Sequence, residues 1–148
     1  MSFWQALRIG SSWLTAQRLR LDLISNNIAN AQTTRTEQGG PFQRQDAVFV
    51  TEGDNPALPK PVAARRGNLG MLQGGVKVAQ ITTDTEAGPR VYDPTHPDAD
   101  ADGYVNQPNV DIVVEMTNML SATRSYEANL ASIEAIKRMA LKALEIGR

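Results

Sequence analysis

Cysteine is absent from this 148-residue chain, and histidine occurs once, as His96. No disulfide framework, thiolate nucleophile or Cys-ligated zinc site can therefore be built. An HExxH pair and a multi-histidine metal site are excluded as well. Aromatic residues are sparse at 5%, and hydrophobic residues reach 41%, enough for a core but not for a large aromatic one. Neither charge sign dominates, with 15 Lys and Arg against 16 Asp and Glu. That balance argues against a basic nucleic-acid footprint and against a polyacidic tail. Apolar runs are only a few residues long, so no membrane insertion is expected. Arg8 interrupts the stretch in which a signal peptide would be apolar, and Met1 argues against trimming, so no cleaved leader is expected. Proline is missing from both ends, all eight lying between Pro41 and Pro108.

The length suits one ordinary domain, or a small domain with appendages. Proline breaks helix interiors, so the two ends are free to form long helices and the middle is not. From Ile112 in steps of four and three, the chain reads Ile112, Met116, Met119, Thr123, Tyr126, Leu130, Ile133, Lys137, Ala140 and Leu144. Only Thr123 and Lys137 break this heptad seam. Asn109 after Pro108 is the expected N-cap, with Asp111 in the first turn and Lys137, Arg138, Lys142 and Arg148 towards the far end. At the N-terminus, Leu7, Leu14, Leu21 and Ile28 recur every seventh residue. Phe3, Gly10, Gln17 and Ile24 form the interleaved row, and the pattern fades through Asn26, Asn27 and Asn30. This helix is expected to end near Ala31 to Thr33.

The segments Asp46–Thr51, Val76–Thr83 and Pro89–Asp93 read as strands, with Thr85–Gly88 as the turn between the last two. Residues 53–75 read as an extended loop, with Arg65-Arg66 a solvated pair. The expected fold class is α+β: long N- and C-terminal helices in an antiparallel coiled coil, plus a small β-rich central domain. The expected divisions are 1–33, 34–108 and 109–148. A helix from about residue 110 to 146 spans roughly 55 Å, against about 40 Å for a compact globule of this size. It must pair along its length, and the apolar rows call for further burial against other chains.

Site chemistry is thin. Asp98, Asp100, Asp102 and Gly103 open like a calcium loop. The twelfth position is Asn109 rather than a bidentate Glu, and no helix enters, which favours a solvated turn. A lone His96 in a proline-rich loop is more often structural than catalytic. Gly74-Gly75 lacks phosphate-loop spacing. Phe3, Trp4 and Trp13 fit a membrane-surface face or a partner-facing seam, the seam being favoured. No catalytic group, metal or cofactor is expected.

Two terminal segments carry a resemblance. Leu21–Ala31, LDLISNNIANA, resembles the N-terminal signature of bacterial flagellar rod and hook proteins, with Ser25, Asn27, Ile28, Ala29 and Asn30 on its S-x-N-[IL]-A-N core. The stretch from Asn109 to Met139 is similar to their C-terminal signature. Asn109, Val110, Asp111, Glu115, Met116, Arg124, Tyr126, Ala128, Asn129 and Lys137 occupy its characteristic positions. Gly40–Phe49, Gly74–Ile81 and Asp93–Asp111 narrow the likeness to the proximal rod subunit of the flagellar basal-body rod protein family.

The resemblance implies a structural subunit of the bacterial flagellum, not an enzyme. Such proteins pass through the flagellar type III export apparatus without a cleaved signal and assemble in the periplasm. They form a helical tube that transmits torque from motor ring to hook and encloses the export channel. The implied partners are other copies, neighbouring rod proteins and the motor-ring/rod junction, with no nucleic acid and no membrane insertion. The assembly seam is expected at Leu7, Leu14, Leu21, Ile24, Ile28, Ile112, Met116, Met119, Tyr126, Leu130, Ile133, Ala140 and Leu144. Asn27, Asn30, Arg124 and Asn129 are expected as polar registry points between helices. Other rod or hook subunits, a secreted binding module that uses its helical arms and a wall-cleaving hydrolase are the competing readings.

Overall fold

The computed structural model describes residues 3–51 and 75–146. The loop expected over 53–75 lies outside them except for Gly75. The order of elements is helix α1 (Phe3–Ala29), strands β1 (Gln45–Thr51), β2 (Val76–Thr83), β3 (Arg90–Tyr92) and β4 (Tyr104–Asn106), then helix α2 (Ile112–Ile146). The two helices pack on each other, and two small antiparallel sheets, β1–β2 and β3–β4, complete an α+β fold.

The helices are antiparallel. As the chain climbs from Gly10 to Asn27 on α1, its neighbour descends from Ile133 to Glu115 on α2. Gly10 is a point of close approach. A Cβ built there would lie 2.8 Å from Ile133 Cγ1, so the missing side chain lets Ile133 seat against the α1 backbone. By this register Phe3 stands level with about residue 140, and the last turns of α2 run past the described start of α1.

The helix ends follow from local chemistry. Asn30 Nδ2 donates to the Asn26 carbonyl and to Asn26 Oδ1, both at 2.9 Å, so the asparagines that weaken the helix also close it. α1 therefore stops at Ala29, and residues 30–32 form turns, earlier than the expected Ala31–Thr33. At α2 the cap is Asp111, not Asn109. Asp111 Oδ1 accepts from the Val113 and Val114 N–H groups at 2.8 and 3.2 Å. Asn109 still belongs to the preceding connection, where its side chain reaches Asp84 Oδ2 at 3.3 Å.

β1 and β2 pair from Gln45↔Thr83 to Thr51↔Val76, with a bulge at Val48/Phe49. This ribbon lies along α1. Trp13 packs on Phe49 with ring centroids 6.1 Å apart, and Ser12 Oγ accepts from the Val76 N–H at 2.9 Å. Trp13 thus serves the interior of the fold, while Trp4 is 76% exposed. β3 pairs with β4 rather than with β2, so Thr85–Gly88 connects two sheets instead of turning a hairpin. The three-residue strand β4 was not anticipated. It follows Gly103, whose φ of 82° reverses the chain after Asp102, and its central Val105 is buried.

The Gly10–Ile133 contact yields a stability prediction. Gly10→Val should cost about 1–3 kcal/mol through overpacking, and adding Ile133→Ala should recover part of the loss. Urea unfolding of the single and double variants measures both.

Candidate functional site

The two helices and β1 meet at a buried polar cluster. Asn27 and Glu115 have no solvent-exposed surface. Asn27 Nδ2 donates to Glu115 Oε2 at 3.0 Å and to the Gln45 carbonyl at 2.8 Å, and Asn27 Oδ1 accepts from the Gln45 N–H at 2.9 Å. The carboxamide thus satisfies both backbone groups of Gln45, as a neighbouring strand would. Glu115 Oε1 accepts from Arg44 Nε at 3.0 Å and from Asn118 Nδ2 at 3.2 Å, and Arg44 Nη2 stands 2.9 Å away. Both carboxylate oxygens are therefore occupied, the condition under which a charge can stay buried.

Arg44 enters from the segment before β1 and keeps a quarter of its side chain exposed. Burial works against its charge, but the hydrogen bond and charge of Glu115, with Asp46 3.6 Å away, outweigh this and raise its pKa above the ordinary value. The arginine stays charged throughout the working range of pH. No heptad reading pointed to Arg44, and the resemblance assigned it no role. Arg44 lies within the Gly40–Phe49 segment that carries part of the resemblance, but nothing in that segment marked it as a partner of the helices.

The expected seam residues fall on different faces. On α1 the interleaved row lies deepest, with Gly10, Gln17 and Ile24 buried, while Leu7, Leu14, Leu21 and Ile28 are half-buried. On α2, Met119, Tyr126, Ile133 and Ala140 are half-buried, as the heptad spacing suggests. The row that completes the contact with α1 is Glu115, Ala122, Asn129 and Ile136, one residue before Met116, Thr123, Leu130 and Lys137. Ala122 has no exposed surface, since its small side chain admits α1 closely. Ile112, Met116, Leu130 and Leu144 remain exposed in the single chain.

The polar signature residues also separate. Asn27 lies between the helices. Asn30 acts locally at the end of α1, and Ser25 and Arg124 are exposed. Asn129 faces the seam, and its Nδ2, like Gln17 Oε1, has no hydrogen-bond partner among the described residues.

The acidic segment between β3 and β4 is committed to hairpin structure. Asp98 accepts from Thr34 Oγ1 at 2.8 Å and lies 3.7 Å from Arg35. Asp100 pairs with Arg90 and accepts from the Tyr104 and Asp102 N–H groups. Among the described residues, no group of three or more His, Cys, Asp or Glu is placed to hold a metal ion. His96 Nδ1 accepts from the Asp98 N–H at 3.1 Å, a turn contact. No described helix is long and apolar enough to cross a membrane.

Thr95 holds the Asp93 carboxyl below its ordinary range, and the Tyr104 N–H does the same for Asp100, helped by Asp102 and Arg90. A lowered folded pKa means that these bonds act fully above the ordinary value of 3.8 and are lost as pH falls through the folded value. An NMR titration of the Tyr104 amide should therefore give a midpoint below 3.8, and Asp100→Asn should remove the transition. At the buried cluster, Arg44→Leu strands the Glu115 charge and should cost about 3 kcal/mol in chemical denaturation. Asn27→Asp, which sets a carboxylate against Glu115 and the Gln45 carbonyl, should cost at least as much.

Comparison with known proteins is consistent with this geometry. The family model described as "Flagella basal body rod protein" matches residues 7–35, and "Flagellar basal body rod FlgEFG protein C-terminal" matches residues 101–146. Asn27 lies in the first match and Glu115 in the second, so the buried cluster ties the two matched regions together. The flagellar basal-body rod protein FlgC of Bacillus subtilis (strain 168) is 43% identical over 153 residues, covering all of both chains. That of Borreliella burgdorferi is 45% identical, covering 99% of this chain and 98% of its own. That of Salmonella typhimurium (strain LT2) is 38% identical over the full length of both. With both ends matched and full-length relatives at this identity, the chain belongs to the FlgC family of flagellar basal-body rod proteins.

Proposed function

We propose that this chain is a structural subunit of the flagellar basal-body rod, in which the α1–α2 pair is the building block of a helical tube. The observation that carries this reading is the unburied outer face of α2. Val113, Met116 and Leu120 are 73%, 61% and 54% exposed at a spacing of three and four residues, opposite the row that faces α1. A monomer leaves such an apolar stripe in water, and lateral neighbours remove it.

In this reading other copies and neighbouring rod proteins cover the stripe, and contacts repeated around and along the tube resist twisting. The shaft passes torque outwards while its bore stays open for export. The chain reaches the periplasm through the type III export apparatus, its helical arms loosely ordered in transit and its α1–α2 pair closed on assembly. It needs no cofactor and performs no chemistry.

The test separates folding from assembly. Leu120→Asp and Leu130→Asp change exposed positions, and each should leave stability within about 0.5 kcal/mol of the parent. Purified basal bodies from such strains should lack rods, and the cells should be non-motile although the subunit is still exported. Ile133→Asp should instead unfold the helix pair, because Ile133 seats on Gly10. Normal rods carrying Leu120→Asp and Leu130→Asp together would refute the reading.

A further inference from the structure

Away from the helix pair, the surface is concave where the segment after α1 meets the two sheets. A cavity of about 570 Å³ opens between Thr36, Gln38, Phe42, Gln43, Gln45 and Thr83. A second, of about 430 Å³, shares Gly39 and Pro41 with the first and continues between Thr34, Arg35, Pro97, Asp98 and Asn106. Both have the size of ligand clefts, which run from about 300 to 1,000 Å³. Arg44 turns inward to Glu115, so its neighbours Gln43 and Gln45 turn the other way, into the first cavity. The facing wall is braced by its own backbone. The Thr36 N–H donates to the Gly40 carbonyl and the Phe42 N–H to the Thr33 carbonyl, both at 2.9 Å.

Asn106 carries the groove on to the β3–β4 hairpin. The register Arg90↔Asn106 and Tyr92↔Tyr104 places all four side chains on one face. Tyr92 packs edge-on against Tyr104, with centroids 5.2 Å apart, and keeps 63% of its surface open. The Arg90 guanidinium lies over the Tyr104 ring, 5.0 Å from its centroid, and pairs with Asp100. Arg35 stands 3.7 Å from Asp98. Each arginine of the groove is thus matched by a carboxylate, while Glu37 and Asp102 have no partner for theirs among the described residues. A phosphate or polyanion finds no spare cation here. Carboxamides and hydroxyls outnumber the apolar side chains of the lining.

We propose that this groove binds a neutral oligosaccharide that bears acetamido groups. Carboxamides both donate and accept, as sugar hydroxyls and acetamido groups do, so Gln38, Gln43, Gln45 and Asn106 complete either one. The unpaired carboxylates of Glu37 and Asp102 accept from hydroxyls in charge-assisted hydrogen bonds. Tyr92 offers a flat apolar ring to the C–H face of a sugar, with its own hydroxyl left to the solvent. An extended peptide brings amides as well, but neither the ring face nor the hydroxyls. The groove shares no residue with the stripe of Val113, Met116 and Leu120. The inference therefore goes beyond the rod reading and does not depend on it.

Amide NMR titration of the dilute full chain with chitotetraose tests the site, with maltotetraose as the sugar that lacks acetamido groups. Chitotetraose should shift the amides of residues 36–45, 83 and 104–106 with a Kd of about 1 mM. Maltotetraose should bind about tenfold more weakly, because it leaves carboxamides unpaired. Tyr92→Ala and Gln43→Ala change exposed positions at opposite ends of the groove. Each should weaken chitotetraose binding about threefold to tenfold, with the amides of α1 and α2 unmoved. Absence of shifts, equal binding of the two sugars, or binding indifferent to both variants would overturn the proposal and leave the rod reading standing. Protection of these amides on assembly without any sugar binding would also overturn it, and would give the groove to a neighbouring subunit.

Discussion

A carboxylate without contact with water needs donors on both of its oxygens, and Glu115 draws those donors from three parts of the chain. Asn27 comes from the end of α1, Arg44 from the approach to β1, and Asn118 from the next turn of α2. Each partner must be in place for the others to be satisfied, which makes the cluster cooperative and sensitive to position. The same carboxamide of Asn27 that holds Glu115 also completes the backbone pairing of Gln45, so the position of β1 along the helices is set by the contact that pins the helices to each other. A purely apolar junction would tolerate slippage along the helices. This one does not, because a shift of one residue would bury the Glu115 charge without its donors.

Away from the pin, the seam changes character. Gly10, Ala16 and Ala122 let the backbones approach closely, but Gln17 and Asn129 each leave a buried polar atom without a partner among the described residues. Such atoms weaken the contact locally. The pair is therefore firmly held where the hairpin and the first turns of α2 meet α1. It is less firmly held towards the free end, where α2 runs past the described start of its partner with Leu141, Leu144 and Ile146 exposed. That gradient suits a subunit in which one end is folded in the monomer and the other is completed by neighbours.

Much of this was legible in the residues. Both helices followed from proline placement and heptad spacing, and β1 and β2 from alternation. The details that were hidden depend on tertiary choices. Apolar content favoured Met116 and Leu130 for the seam, yet Glu115 and Ala122 occupy it, because close approach rewards a small side chain and a satisfied carboxylate over a larger hydrophobe. Asp111 displaced Asn109 as the cap because the backbone before it is held out of the helix, with the Gln107 N–H still bonded to the Pro89 carbonyl. Strand β4 is too short to show alternation, and Gly103 was its only marker. Arg44 lies in the Gly40–Phe49 segment, but nothing local to it points to Glu115. Its partner is 71 residues away, a separation that no local reading bridges.

Residue-resolved hydrogen exchange on the dilute monomer and on the assembled form is the most direct test of the pinned end and the open end. In the monomer, amide protection should be highest at residues 20–29 and 112–122 around Asn27 and Glu115, and should fall along α2 towards Ile146. Assembly should raise protection most strongly from about Leu130 onwards. Protection that is uniform along α2 in the monomer and unchanged on assembly would contradict a fold pinned at one end and completed by its neighbours at the other.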